Sequence, residues 1–288
     1  MGRERQRAET RARRLAAELP RPAKRAAQLA LSAVDPVART RYRRRTGTRE
    51  PIPPIALRAR VGTPGIAAFM RAHAGYAEQA ARAAGRSLDS FRSILDFGCG
   101  CGRTLVPLAR RLGSEAEVCG CDIDAEAIQW LQTHHPQLRL RVTGAEPPLP
   151  YEPGSFDLVI SVSVFTHLDE PKQDAWLAEL RRVLRDDGLG ALTVHGERAY
   201  RSFARGEAPA SVRSASERIA LHGSMEDAGF IFEPAEPSRW NALRSMESRE
   251  GWGLAFHSRD YLRERWGRFF SRVRVIEGPT QDIALVWP

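Results

Sequence analysis

The stretch Ile94 to Leu105, ILDFGCGCGRTL, narrows the folds open to this chain more than any other. Ser93-Ile94-Leu95-Asp96-Phe97 has the unbroken apolar character of a strand buried on both faces of a parallel sheet. Gly98, Gly100 and Gly102 follow at alternate positions. Thr104, Leu105, Leu108 and Leu112 then recur at helical spacing, with Gly113 as a stop. A strand running through glycines into a helix lets a ligand lie against bare backbone at a helix N-terminus. The dinucleotide fingerprint requires a third glycine three residues after the second, and Arg103 stands there instead. Asp96, two residues before the first glycine, would repel a pyrophosphate and suits a ligand that carries an ammonium group.

Beyond this stretch the chain alternates strand and helix, the signature of a doubly wound, mostly parallel sheet. Strands are expected at Glu117 to Asp122, Leu138 to Thr143, Phe156 to Ser161 and Leu189 to His195. Between them lie a helix from Ala125 to about His134 and another from Pro171 to Arg185. Asp169 or Glu170 caps the second, and Trp176, Leu177, Leu180, Val183 and Leu184 form its buried stripe. Residues 196–257 break the alternation, with one helix expected from Ala215 to Ala228. A helix from Ser258 to about Gly267 then leads to strands Arg272 to Glu277 and Asp282 to Trp287. Only Gly278-Pro279-Thr280 and Gln281 join those two strands, so they pair antiparallel, because a parallel return needs a crossover.

Charge is placed unevenly. Of the net +9, residues 1–60 hold 17 basic and 5 acidic groups, while the rest of the chain is close to neutral. Residues 1–50 read as an arginine-rich arm with short helices at Thr10 to Leu19 and Pro22 to Val34, broken at Pro20, Pro22 and Pro36. The expectation is a solvated arm. Weak contact with an anionic membrane surface is the alternative, and nucleic acid is less favoured. No apolar run reaches the roughly 20 residues of a membrane-spanning helix. Cys99, Cys101, Cys119 and Cys121 form two C-x-C pairs, closer than zinc ligands are usually spaced, and read as apolar filler in a reducing, cytoplasmic setting.

The glycine loop, Asp122 at the end of the second strand, Leu149-Pro150 to Phe156-Asp157, Phe165-Thr166-His167-Leu168 and Leu180-Arg181-Arg182-Val183-Leu184 together resemble class I S-adenosylmethionine-dependent methyltransferases of the bacterial small-molecule type. The resemblance implies an α/β fold: a seven-stranded, doubly wound, mostly parallel sheet with an antiparallel last strand. It implies a cofactor-binding core at 51–195 with its N-terminal helix, an acceptor-binding insertion or lid at 196–257, and closing elements at 258–288. Residues 1–50 form the basic, partly helical or disordered extension. Trp240, Trp252, Phe256 and Tyr261 are candidates for the apolar wall of the insertion.

In such an enzyme S-adenosylmethionine is the cofactor. Gly98, Cys99, Gly100 and Gly102 would cradle it, and Asp122 would accept from its ribose hydroxyls, with Ile123 against the adenine. The family's adenine-binding aspartate is replaced by Ala145, so either Glu146 reaches across or backbone groups hold the base. Asp96, with the carbonyls of Ser161 and Val162, would hold the ammonium, and Arg60 or Arg103 the carboxylate. His167, His195 and His257 are the candidate bases, and no metal is implied. The expected reaction is methyl transfer to a small molecule, a sugar or natural-product intermediate for example, with oxygen favoured over nitrogen. The alternatives are an NAD-type oxidoreductase and a non-catalytic binding protein acting through its basic arm.

Overall fold

The computed structural model describes residues 21–71, 75–207, 215–235 and 250–288. The expected helix at Thr10 to Leu19 and residue Trp240 lie outside them. The central sheet has seven strands: β1 (Ser93–Phe97), β2 (Glu117–Asp122), β3 (Arg139–Val142), β4 (Phe156–Ser161), β5 (Leu184–Val194), β8 (Arg272–Ile276) and β9 (Asp282–Trp287). Their order is β3-β2-β1-β4-β5-β9-β8, and β9 runs antiparallel to both neighbours. A separate antiparallel pair joins β6 (Phe230–Pro234) to β7 (Gly253–His257).

Side-chain alternation explains the near-continuous apolar strands. Ile94, Leu158 and Ile160 point to one face, where they meet Leu105, Leu108 and Ile128 from the covering helices. Leu95, Phe97, Val159 and Leu192 point to the other, against Trp176, Leu177, Leu180 and Trp266. Both faces are covered, so both sets of positions must be apolar. The four cysteines are buried free thiols: Cys99, Cys119 and Cys121 lie within these layers, and Cys101 packs with Leu57, Phe69 and Ala127. The chain winds outward from β1 through β2 to β3, and from β4 through β5 in the opposite direction. That reversal opens a crevice between the carboxyl ends of β1 and β4, where open α/β sheets bind ligands.

From Arg21 onward the N-terminal segment is helical, largely exposed from Ala30, and more continuous than its prolines suggest. A single helix runs from Arg21 to Thr46 and contains Pro36, where a break was expected. A proline in a helix interior costs about 3 kcal/mol. Packing beside it supplies a counterweight. Asp35 is buried and pairs with Arg39 at 3.0 Å and with Arg58 at 2.8 Å, and it accepts the Ile55 backbone N–H at 3.1 Å. Arg58, 1% exposed, also donates to the carbonyls of Pro53 and Pro64. The boundary drawn at residue 50 therefore divides a buried ion pair. In the insertion, the single helix expected from Ala215 to Ala228 is two short ones, Ser216–Leu221 and Met225–Ala228, with Gly223 at φ 79° between them.

Removing one partner of a buried ion pair strands the other charge. Asp35→Ala should lower the unfolding free energy by about 3–5 kcal/mol in urea titrations, and adding Arg58→Met should recover most of that loss.

Candidate functional site

At the crevice, Gly98, Gly100 and Gly102 have φ of 79°, 54° and 84°, the left-handed region that a side chain resists. A Cβ on Gly98 would strike Val164, and one on Gly100 would strike Val61, so the bend is glycine on two counts. The loop hangs from β2 through the N–H groups of Gly98 and Cys99, which donate to the Cys121 carbonyl at 2.9 and 3.0 Å. Asp122 secures it from below. One carboxylate oxygen accepts the Gly100 N–H at 2.6 Å and the other the Asp124 N–H at 2.8 Å. Burial raises the Asp122 pKa, while those backbone donors hold it down. A carboxylate has about four lone-pair sites, so accepting two N–H groups leaves room for a pair of sugar hydroxyls. Asp124 caps the helix Ala125–His134 through the Ala127 N–H at 3.2 Å, and Ile123 lies partly exposed beside it.

Asp96 ends β1, 1% exposed, and one of its carboxylate oxygens has no partner among the described residues. Its pKa is pushed up to about 7, mainly by burial and then by the Asp122 charge, with Arg103 pulling the other way. Ser161, fully buried at the end of β4, also has an unpartnered hydroxyl among the described residues, and Val162 beside it is half-buried. Unsatisfied buried polar atoms are rare in folded proteins. Two of them flanking a bare-backbone bend fit a ligand that brings an ammonium group.

The two candidate arginines part company. Arg60 is committed to Asp124 at 2.8 Å and to Glu126, which excludes it as a ready partner for a ligand carboxylate. Arg103 donates to the Thr63 hydroxyl at 2.8 Å and has no ion pair among the described residues. Glu146 pairs with Lys172 rather than reaching toward a base, which leaves the backbone around Ala145 for that contact.

The histidines also separate. His167, half-buried, donates Nδ1–H to the Gly253 carbonyl at 2.9 Å, which leaves Nε2 as a lone-pair acceptor. His195 directly follows β5, with its ring 6.2 Å from that of His167, and its Nδ1 is unpartnered among the described residues. His257 is 1% exposed, packed among Phe230, Tyr261 and Trp266. Gln173 donates to the carbonyls of Phe165 and Leu168 at 3.3 and 2.9 Å, so its oxygen faces His257 Nε2 at 3.0 Å and fixes that nitrogen as the donor. His257 is thus a packing histidine rather than a base at the crevice. Burial pushes His167 down to about 4 and His195 and His257 to about 3. All three are neutral at pH 7.

The insertion is anchored to the crevice by backbone bonds. The N–H groups of Gly253, Ala255 and His257 donate to the carbonyls of His167, Thr166 and His195, each at 2.9 Å. β7 is therefore a fixed wall, and Phe256 stacks on His195 at 5.3 Å. Sequence reasoning missed three groups here. Ser163 holds a positive φ of 62° and accepts a bond from Gln281, and Thr166 is buried with an unpartnered hydroxyl among the described residues. The third is Gln173. A polar residue on the apolar stripe of its helix was the only available signal. A cleft of about 670 Å³ opens elsewhere, at the amino ends of β2 and β3 beside Glu50 and Arg110, away from the glycine loop.

Residues 94–188 match the family model described as a methyltransferase domain. The malonyl-[acyl-carrier protein] O-methyltransferase of Geobacter sulfurreducens is 35% identical over 130 residues, 45% of this chain and 44% of that protein. The tRNA N(3)-methylcytidine methyltransferase Mettl2 of Drosophila melanogaster is 32% identical over 106 residues, 34% of this chain and 33% of that protein. The matches thus span less than half of these curated relatives. Among solved structures, human N-acetylserotonin methyltransferase in complex with SAM aligns at TM-score 0.44 and 13% identity, over 69% of this chain and 48% of that one. A SAM-dependent methyltransferase from Methanosarcina mazei aligns at TM-score 0.43 and 19% identity, over 67% of this chain and 89% of that one. Residues 94–188 thus carry the sequence of a methyltransferase domain, and the class I S-adenosylmethionine-dependent type is the one that the motifs of this segment resemble.

A docked ammonium would stabilise ionised Asp96, so binding must release a proton below about pH 7. Affinity for S-adenosylhomocysteine should rise up to about tenfold per pH unit on approaching pH 7 from below and level off above it. Asp96→Asn should bind more weakly and lose that slope. Calorimetry showing the same affinity at pH 5.5 and 8 would remove Asp96 from the site.

Proposed function

We propose that this protein transfers the methyl group of S-adenosylmethionine to a small-molecule acceptor, a hydroxyl in the first instance and an amine in the second. When bound, the cofactor supplies an electrophilic methyl on a sulfonium. The protein's share is orientation: the acceptor atom must stand in line with the methyl and the sulfur, and fixed geometry alone can lower such a barrier substantially. The observation that carries the reading is the position of His167. It follows β4 beside the crevice, and the Gly253 carbonyl holds its Nδ1–H, which fixes the ring's orientation next to His195. A nucleophile bearing O–H or N–H that is aligned against this fixed ring would turn its own lone pair toward the methyl.

With its pKa near 4, His167 is a weak proton acceptor at pH 7. Its first role is to aim the nucleophile; the acceptor's proton would pass to the neutral imidazole late, once the oxygen holds the methyl and is far more acidic than the imidazolium, and the donor would leave as the neutral thioether. His195, Phe203 and Phe256 form an aromatic wall beside it, which favours an acceptor with an apolar body. The malonyl-[acyl-carrier protein] relative methylates oxygen, which supports the same order of preference. Buried free thiols accord with a reducing, cytoplasmic setting for the reaction.

Metabolite extracts incubated with the enzyme and a methyl-labelled donor should yield a product carrying the label. His167→Asn should lower kcat by about 10²–10⁴-fold with cofactor affinity unchanged. Because the neutral imidazole is the working form, wild-type kcat should be flat between pH 7 and 9 and fall only as pH drops toward about 4. A midpoint near 6.5 or full activity in the variant would refute the assigned role.

A further inference from the structure

We propose that the exposed face of the helix Arg21–Thr46 docks on an anionic lipid bilayer. Leu31, Val34 and Val37 are 53%, 58% and 70% exposed, and they are three of the five large apolar side chains that the described residues leave in water. Spaced three apart, they lie along one side of the helix, with exposed Ala30 and Ala38 beside them. Arg41, Arg44 and Arg45 are exposed too and stand seven residues after Val34, Val37 and Ala38. Seven residues make almost two full turns, so the arginines continue the same face. The result is an apolar patch followed along the axis by a basic one.

The other side of the helix is already occupied. Asp35, Arg39 and Tyr42 recur at buried and half-buried positions, with Asp35 paired to Arg58 and Arg39 donating to the Ile52 carbonyl. Asp35 is the only acid in the 26-residue helix, and its charge is consumed by that packing. The outer face therefore carries positive charge alone. An anionic bilayer answers both parts of it, accepting the leucine and valines among acyl chains and the guanidinium groups among headgroups. Nucleic acid would answer only the arginines, leaving the apolar side chains in water. A second copy packed in parallel would set arginine against arginine. The helix Ile55–Arg60 links the occupied side of the Arg21–Thr46 helix to the glycine-loop region, because Arg58 holds Asp35 while Arg60 holds Asp124.

The test is co-sedimentation of the full chain with phosphatidylglycerol/phosphatidylcholine vesicles and with pure phosphatidylcholine vesicles. Binding to the first and not the second, weakened by 0.5 M salt, is expected. Each arginine near the surface contributes about five-fold, so Arg41→Ser/Arg44→Ser/Arg45→Ser should weaken binding by about 100-fold. Leu31→Ser/Val34→Ser/Val37→Ser should weaken it by at least about tenfold. Both variants should keep the wild-type melting curve and S-adenosylhomocysteine affinity, since neither touches Asp35 or the crevice. Equal sedimentation with the two vesicle types overturns the proposal, as does indifference to either variant. Binding to duplex DNA that is lost in the arginine variant but kept in the apolar one, with no vesicle binding, overturns it in favour of nucleic acid. Loss of vesicle binding only when residues 1–20 are removed overturns its assignment to this face.

Discussion

A carboxylate sealed at the end of the central strand, with one oxygen unpaired, is the constraint that organises this molecule. Asp96 lies 1% exposed beside a second acid, Asp122, under a loop of three glycines in left-handed conformations. Burying a charge without a partner is expensive, and a fold retains such a group at a site where a ligand supplies the missing cation. The surrounding structure holds that site open. Asp122 spends both oxygens on backbone N–H groups, the glycines forgo side chains so that Val61 and Val164 can approach, and the strand order reverses to leave a crevice above β1 and β4.

The acceptor side obeys a different economy. Histidines, aromatic rings and the β7 strand form a fixed wall in which the imidazoles stay neutral and their hydrogen-bonding directions are set by backbone carbonyls and by Gln173. Fixed donors and acceptors that need not reorganise during the reaction are what a displacement requires, since alignment and not proton transfer dominates its barrier. The insertion is stitched to the crevice by three backbone bonds, so its inner strand belongs to the rigid frame. On the proposed reading, acceptor specificity belongs to side chains projecting from that frame, on a fold that hosts many chemistries.

The N-terminal helix connects surface to site by one chain of ion pairs. Asp35 grips Arg58, and two residues further Arg60 grips Asp124, the cap of the helix that follows Asp122. Position 60 therefore serves architecture, while Arg103, bonded to the Thr63 hydroxyl, has no ion pair among the described residues.

Much of the fold was legible in the sequence because its signals are local or periodic. The glycine bend, the apolar strands and the short link before β9 report backbone preferences and the need to bury both faces of a parallel sheet. The family resemblance followed from motifs no longer than a dozen residues. What tertiary structure alone decided is which charges meet. Arg60 finds Asp124 across 64 residues, Arg58 finds Asp35 across 23, and Glu146 finds Lys172 across 26. The same holds for Pro36, whose helix persists because a distant arginine anchors the preceding turn, and for the histidines, whose proton affinity is set by burial. Such pairings depend on distances closed only by folding, so no spacing along the chain encodes them.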